Sequence, residues 1–259
     1  MRIVRRAVPM LLAAACATAP ADAQSGRVEE RFSERASSSI LLVYDGKRLE
    51  PSVERSLLAA LESSYAALVQ DLGSGPVEKV TVTVYSERDW QLAIGAPDWV
   101  GGLFDGTVRV PAQGLTGVTP ALLAILRHEM THAFVQARTQ GHAPTWLHEG
   151  LAQLEEGKSA APFTVPLVEA WRGSRTFGLK QLEGSFRRFS APQIRSGYVV
   201  SLAAAEMLRE TRGFGALGHL LDRLGEGTPV EDAMRETLRG DYARIESDLG
   251  DWLERRAAR

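Results

Sequence analysis

A long amphipathic helix that begins after Thr119 constrains the fold more than any other part of the sequence. Thr119 suits the N-cap of a helix and Pro120 suits its first position, while Gly141 and Pro144 follow as stop signals. Between them, apolar residues recur at intervals of three and four, which predicts a helix that ends near Arg138. Its broad apolar arc consists of Leu122, Leu123, Leu126, Met130, Ala133, Phe134 and Ala137.

Two histidines lie on the side of this helix opposite the centre of the apolar arc. His128 and His132 are four residues apart, which on a helix places side chains about 6 Å apart on one face. Both imidazoles can therefore bind a single ion at about 2.0–2.1 Å from each nitrogen. Glu129 is placed to reach a water molecule beside that ion without binding the ion itself. The pattern predicts a metal site with a general base, although short patterns of this kind also occur by chance.

A third ligand is needed, because catalytic zinc takes three protein ligands and keeps a fourth position open. The extended pattern HExxHxxGxxH fails here, since Arg138 stands where that pattern has its third histidine. A carboxylate from the following helix is the alternative. The segment Trp146-Leu147-His148-Glu149-Gly150-Leu151-Ala152 supplies Glu149, 17 residues after His132.

Taken together, HExxH and the segment W-L-x-E-G-x-A resemble the gluzincin metallopeptidases of the thermolysin-like superfamily. The short chain is most similar to the small bacterial peptidase-MA-like proteins, over roughly residues 40–208. The resemblance implies an α+β thermolysin-like fold: a small N-terminal mixed β-sheet lobe, a mainly helical C-terminal lobe, and the active-site helix between them. It also implies that both histidines and Glu149 bind one Zn²⁺ per chain and that Glu129 is the general base.

Two further residues are candidates for a place in the site. Tyr198 begins an apolar helical segment 49 residues after Glu149, and its placement resembles the tyrosine-bearing helix of related gluzincins. We expect it to act as a catalytic donor to the oxyanion, with a buried packing role as the alternative. His148 stands where the related aminopeptidases have Asn. It is expected either to orient the substrate or a group beside the metal, or to be an ordinary surface histidine.

The segment Val100-Gly101-Gly102-Leu103-Phe104 precedes Asp105-Gly106, a two-residue hairpin signal. Gluzincins bind extended peptides along an edge strand beside the cleft, and this segment is expected to be that strand, with glycines that allow close approach. A flexible approach to the hairpin is the alternative. We find no convincing equivalent of the acidic exopeptidase motif of the aminopeptidases, so endopeptidase action on peptide or protein substrates is predicted.

Residues 1–23 have the pattern of a signal peptide. Three arginines precede a short apolar stretch, and Ala21-Asp22-Ala23 offers the small residues that a signal peptidase recognises, which predicts cleavage near Gln24. The protein is therefore expected to be exported and to be periplasmic or secreted. A lipoprotein anchored through Cys16 would need a lipobox, and Ala13 stands where that motif has Leu.

Composition excludes several other classes of function. A net charge of −2 without a basic run gives no electrostatic footprint for nucleic acid. After residue 23, no stretch is long and apolar enough to predict a transmembrane segment. The single cysteine lies in the predicted signal peptide, so a cysteine nucleophile is excluded and a metal site must use histidine and carboxylate. The sequence does not indicate an oligomeric state.

The remaining pattern predicts a flexible leader over residues 24–38 and one catalytic domain over residues 39–259. Within that domain, residues 39–140 are expected to form an α/β lobe that includes the HExxH helix, and residues 141–259 a helical lobe. Strands are predicted at Ile40–Tyr44 and Val80–Tyr85, and helices at Pro51–Leu72, from Thr145 to Gly157, at Tyr198–Arg212 and around Tyr242 to Trp252.

A zinc-dependent peptidase, with metal-activated water and Glu129 as base, is the predicted function. The alternative is a non-catalytic protein of gluzincin fold that serves as a binding or assembly module of the cell envelope. A complete set of one base and three ligands argues against that alternative, because a degenerate copy is expected to lose one of them. A metal-dependent hydrolase of a non-peptide envelope bond is the third interpretation.

Overall fold

The structure of the chain is a computed structural model that describes residues 28–46, 49–95, 100–111, 116–173 and 176–258. The predicted signal peptide and cleavage site lie outside these residues. Within them, no helix combines the length and the apolar character needed to cross a bilayer.

A five-stranded mixed sheet forms the N-terminal part of the structure. Its strand order is β1-β2-β3-β5-β4, and β2, β3 and β5 run parallel, while both edge strands are antiparallel to their neighbours. Valine and threonine alternate in β3, and its valines are buried, as expected for a central strand. The strands are β1 Ser33–Ala36, β2 Ile40–Tyr44, β3 Val80–Tyr85, β4 Leu103–Phe104 and β5 Val108–Pro111.

Helices dominate the rest of the described chain, and three short 3₁₀ turns occur between α4 and α6. The bounds of β2, β3 and α1 agree residue for residue with the sequence prediction, because each has clear periodicity and a clear stop signal. The helices are α1 Pro51–Leu72, α2 Glu87–Ala93, α3 Pro120–Thr139, α4 Thr145–Glu155, α5 Thr164–Arg172, α6 Ala191–Gly225, α7 Val230–Leu238 and α8 Tyr242–Ala257.

The central helix α3 begins and ends as its sequence predicts. The Thr119 hydroxyl accepts a hydrogen bond from the backbone N–H of Leu122 at 3.1 Å, which satisfies one of the free N–H groups of the first turn. The helix ends at Thr139, where Gln140 and Gly141 take left-handed backbone conformations with φ of 51° and 82°. The turn that follows allows α4 to pack on α3.

One continuous apolar core joins the sheet to the C-terminal helices, and Phe134 of α3 and Trp146 of α4 are among its fully buried side chains. A second, smaller apolar cluster lies around Tyr85, Trp90 and Leu103. Beside it, the buried guanidinium of Arg109 binds Asp105, the Tyr85 hydroxyl and Glu29.

The structure differs from the sequence prediction in the leader. Residues 33–36, predicted as part of a flexible leader, form edge strand β1, which pairs antiparallel with β2. Every residue of β1 is exposed, so the strand carries none of the apolar alternation by which a strand is recognised. Arg35 of this strand donates to Glu54 of α1 at 2.6 Å.

The predicted two-residue hairpin turn is also wrong. Phe104 pairs with Val108, so the turn has three residues, and its glycine, Gly106, has φ 102°. Helix α6 begins earlier than predicted, at Ala191, but its predicted end at Arg212 coincides with a break at Gly213, where φ is 79°, and a second helical segment follows to Gly225. Its first turns are mostly exposed and lack apolar periodicity.

We predict that Gly150→Ala destabilises the protein. An added Cβ would lie 2.5 Å from the carbonyl oxygen of Ser201 and 3.0 Å from Cβ of Ala205, so α4 would have to move away from α6. The expected loss in the free energy of unfolding is about 1–3 kcal/mol, measured by denaturant titration. Gly215→Ala is the control, because nothing lies within 4 Å of its added Cβ. Equal stability of the two variants would contradict the close packing.

Candidate metal centre and active site

The interface between α3 and α4 brings the three predicted ligands together. His128 and His132 lie on α3 and Glu149 lies on α4, and each is at most 2% exposed. The Nε2 atoms of both histidines lie 3.9 Å from the same oxygen, Oε2 of Glu149. The two imidazole rings are 4.9 Å apart and nearly perpendicular, at 81°. Among the described residues, these three form the group that could bind a metal ion.

The donor set fits a divalent ion such as zinc. The Nε2 atoms of His128 and His132 are enclosed and have no hydrogen-bond partner within the described part of the chain, an arrangement that is costly unless another group satisfies them. Two ligand atoms of a tetrahedral zinc ion lie about 3.4 Å apart, given bonds of about 2.0–2.1 Å, which is close to the observed spacing. Burial lowers the pKa of both histidines, which favours the neutral form that binds metals.

The second ring nitrogen of His128, Nδ1, has a charged partner. Its Nδ1 lies 2.9 Å from Oε2 of Glu156, and Nζ of Lys158 lies 2.8 Å from the same oxygen. Burial alone would raise the pKa of Glu156, but hydrogen bonds from His128 and Lys158 outweigh burial and lower it. In metal sites, a carboxylate usually accepts a hydrogen bond from the ring nitrogen that does not bind the metal, and this contact fixes the orientation of the ring. Glu156 was not among the predicted site residues, although its position at the C-cap of α4, seven residues after Glu149, places it on the same side as Glu149.

The second ring nitrogen of His132, Nδ1, has an imidazole as its partner. Its Nδ1 lies 3.4 Å from Nδ1 of His148, and the two rings are 5.6 Å apart. Although His148 retains some exposure to solvent, its surroundings are dense enough for burial to lower its pKa to about 4. Of the two alternatives for His148, the structure therefore places it beside a predicted ligand and not on the open surface.

Glu129 lies beside the edge of the sheet. Its carboxyl group is buried, and burial, followed by the charges of Glu149 and Glu156, raises its pKa well above the usual value. A Cβ added to Gly102 would lie 2.8 Å from both Cγ and Oε1 of Glu129. The chain that enters edge strand β4 therefore passes directly against the predicted base, and the role of this strand in substrate binding stays a prediction.

Tyr198 is buried on α6, where its ring meets Phe186 edge-on at 5.5 Å. The side chain of Gln153 donates to the backbone carbonyls of Glu149 and Tyr198, both at 3.0 Å. This bridge fixes the backbone of the predicted oxyanion donor relative to that of the predicted third ligand. The catalytic role of Tyr198 remains a prediction. His142 lies outside the ligand group and contacts the Leu224 carbonyl at 3.1 Å.

The sequence profile of the Peptidase MA superfamily matches residues 60–255, which is more than half of the chain. The chain belongs to the Peptidase MA superfamily. This membership confirms the resemblance seen in the sequence and the α+β fold with a small mixed sheet and a mainly helical C-terminal part.

Solved structures offer more distant similarities. The M1 zinc metallopeptidase from Deinococcus radiodurans is 17% identical, with a TM-score of 0.47, over 87% of this chain and 52% of that chain. A point mutant of that enzyme gives 16% identity and a TM-score of 0.47, over 86% and 51%. This Peptidase MA protein thus spans about half the length of the matched chains. No curated protein matches it significantly.

We predict that Gly102→Ala displaces the Glu129 carboxylate and lowers activity while leaving metal content unchanged. The physical reason is that the added methyl group occupies space now filled by Cγ and Oε1 of Glu129. Turnover and zinc content are measured together on the same preparation. Gly117→Ala serves as the control, since its added Cβ meets nothing within 4 Å. Unchanged turnover in the Gly102 variant would contradict the contact.

Removal of the third ligand should release the metal. We expect Glu149→Ala to lose most of its bound zinc, because two imidazoles remain where three ligands are needed. Zinc per chain is measured by elemental analysis after dialysis, with Glu169→Ala, an exposed residue of α5, as the control. Full zinc content in the Glu149 variant would remove this carboxylate from the coordination sphere.

Proposed function

We propose that this protein is an exported zinc-dependent peptidase that cleaves peptide bonds within a chain. The observation that carries the proposal is the convergence of two enclosed imidazole nitrogens on one carboxylate oxygen, directly beside a buried glutamate. Membership of the Peptidase MA superfamily supports it. Export is supported by the signal-peptide pattern of residues 1–23, and sequencing the mature N-terminus from a periplasmic or secreted fraction tests that part.

The ligand set is proposed to be His128, His132 and Glu149, with one Zn²⁺ per chain. When bound, zinc acts as a Lewis acid that polarises a carbonyl group and makes water more acidic. The two neutral histidines contribute no charge, so Glu149 supplies the only negative charge among the ligands. The carboxylate of Glu156 contacts Nδ1 of His128 and the ammonium group of Lys158, and among the described residues it is not part of the metal-binding group. We therefore assign it to orienting the His128 ring and not to a fourth ligand position.

Proton transfer is assigned to Glu129. Its carboxylate accepts the proton of the attacking water and delivers it to the nitrogen of the leaving amine. The neighbouring chain at Gly102 fixes one side of this carboxylate, so the base has a defined position before substrate binds. Tyr198 is proposed to donate its hydroxyl to the oxyanion, and Tyr198→Phe is expected to lower kcat with little change in zinc content.

Substrate binding is assigned to edge strand β4, along which an extended peptide would pair through its backbone. Residues 100–104 carry no acidic side chain that could bind a free amino terminus. The next acidic residue, Asp105, is engaged by Arg109, whose Nε lies 3.0 Å from one of its oxygens. These features support cleavage within a chain over removal of N-terminal residues.

The test of the base is Glu129→Gln. We expect this variant to retain zinc and to lose turnover of a broad fluorogenic peptide library by about 10²–10⁴-fold, because the amide cannot accept the proton. The wild-type protein is assayed after chelation and again after zinc is restored, and its activity should disappear and return. Turnover of the variant near the wild-type level would exclude Glu129 as base.

The same assays separate the alternatives. A wild type that binds zinc but cleaves no peptide in the library would favour a non-catalytic binding or assembly module of the envelope. Cleavage of an envelope bond other than a peptide bond, still dependent on zinc and Glu129, would identify a hydrolase of another class.

A further inference from the structure

The two histidines of the proposed site have different hydrogen-bond partners at Nδ1, the ring nitrogen that faces away from the proposed metal ion. His128 faces a carboxylate, Glu156, that is itself paired with Lys158. His132 faces a second imidazole, that of His148, across 3.4 Å between their Nδ1 atoms. One ligand therefore has an anionic partner, and the other has a partner that is itself a histidine.

The protons of this histidine pair can be assigned from geometry. Nε2 of His132 is the atom that faces Oε2 of Glu149, so a neutral His132 that binds metal through Nε2 carries its proton on Nδ1. The Nδ1 atoms of His132 and His148 lie 3.4 Å apart, so the hydrogen on Nδ1 of His132 points to Nδ1 of His148 as its acceptor. His148 must then accept at Nδ1 and carry its own proton on Nε2.

Charge gives a reason for an imidazole at this position. The carboxylates of Glu129, Glu149 and Glu156 already lie around the proposed site and act on one another, with Lys158 as the paired cation. Another carboxylate behind His132 would add a further negative charge to this buried cluster. A neutral imidazole fixes the orientation of the ring without that charge.

We propose that His148 is a positioning residue that accepts the Nδ1 hydrogen of His132 and so presents Nε2 of His132 to the metal ion. This inference rests on the proposed zinc site. His148 acts on the metal through its neighbour only, and it contributes by selecting the tautomer and the rotation of that neighbour's ring. Its effect is therefore on metal affinity first and on turnover second.

The experiment measures zinc affinity of the full chain by competition with a chromophoric chelator. His148→Phe retains a ring of similar shape but has no acceptor, and we expect its affinity to fall by about 10- to 100-fold. His148→Asn restores an acceptor oxygen and is expected to recover a large part of that loss. His142→Phe is the control, because this histidine contacts the Leu224 carbonyl and lies outside the proposed ligand group. Thermal unfolding of the metal-free proteins checks that each variant folds.

A second readout is independent of activity and affinity. Long-range ¹⁵N–¹H spectra of the zinc-loaded wild type should show His132 protonated at Nδ1 and His148 at Nε2. Wild-type zinc affinity in the Phe variant, or a proton on Nδ1 of His148, would overturn the inference while leaving the proposed function intact. A wild type that binds no zinc would instead overturn the proposed function and this inference with it.

Discussion

The structure depends on a buried convergence of two imidazole nitrogens and one carboxylate oxygen across the contact between α3 and α4. Such a group is unfavourable inside a protein unless a cation balances it, so the surrounding packing must keep the two helices in place. Two neighbouring side-chain contacts between the helices contribute to this. Arg127 donates to Glu155 at 2.5 Å, and His128 contacts Glu156 at 2.9 Å, so consecutive residues of α3 bind the last residue of α4 and its C-cap. Gly150 allows α6 to support α4 from its other side.

The proposed base, Glu129, is positioned by a different part of the fold. Leu103 of β4 is buried in the small second cluster, and Arg109 of β5 joins the Asp105 turn to Tyr85 and to Glu29. These contacts fix the short edge strand from the side away from the main core. The chain before β4 then lies against the Glu129 carboxylate. Glu29, near the N-terminus of the described chain, thereby contributes to the geometry of the proposed active site through Arg109.

The sequence could predict the parts of the site that local periodicity determines. The four-residue spacing of His128 and His132 fixes their separation on any α-helix. The segment around Glu149 has a recognisable pattern, which identified Glu149 as the third residue of the group. The contacts of Glu156 and His148 depend instead on how α3 and α4 pack, and no local pattern carries that information. The same holds for β1, whose exposed residues show no alternation, and for the hairpin turn, whose three-residue length follows from the pairing of Phe104 with Val108.

The loop after α4 links the proposed metal centre to the C-terminal helix α8. Lys158 contacts the carboxylate behind His128, and the next two residues bind Glu206 of α6, with 2.6 Å from the Ala160 N–H to its carboxylate. Arg256 of α8 donates to the same glutamate at 2.9 Å. Because a buried carboxylate is stable only with such partners, Glu206 fixes the loop between two helices of the C-terminal lobe. The C-terminal helices thus help to position the Glu156 carboxylate through this loop, and through it the ring of His128, a proposed ligand on α3.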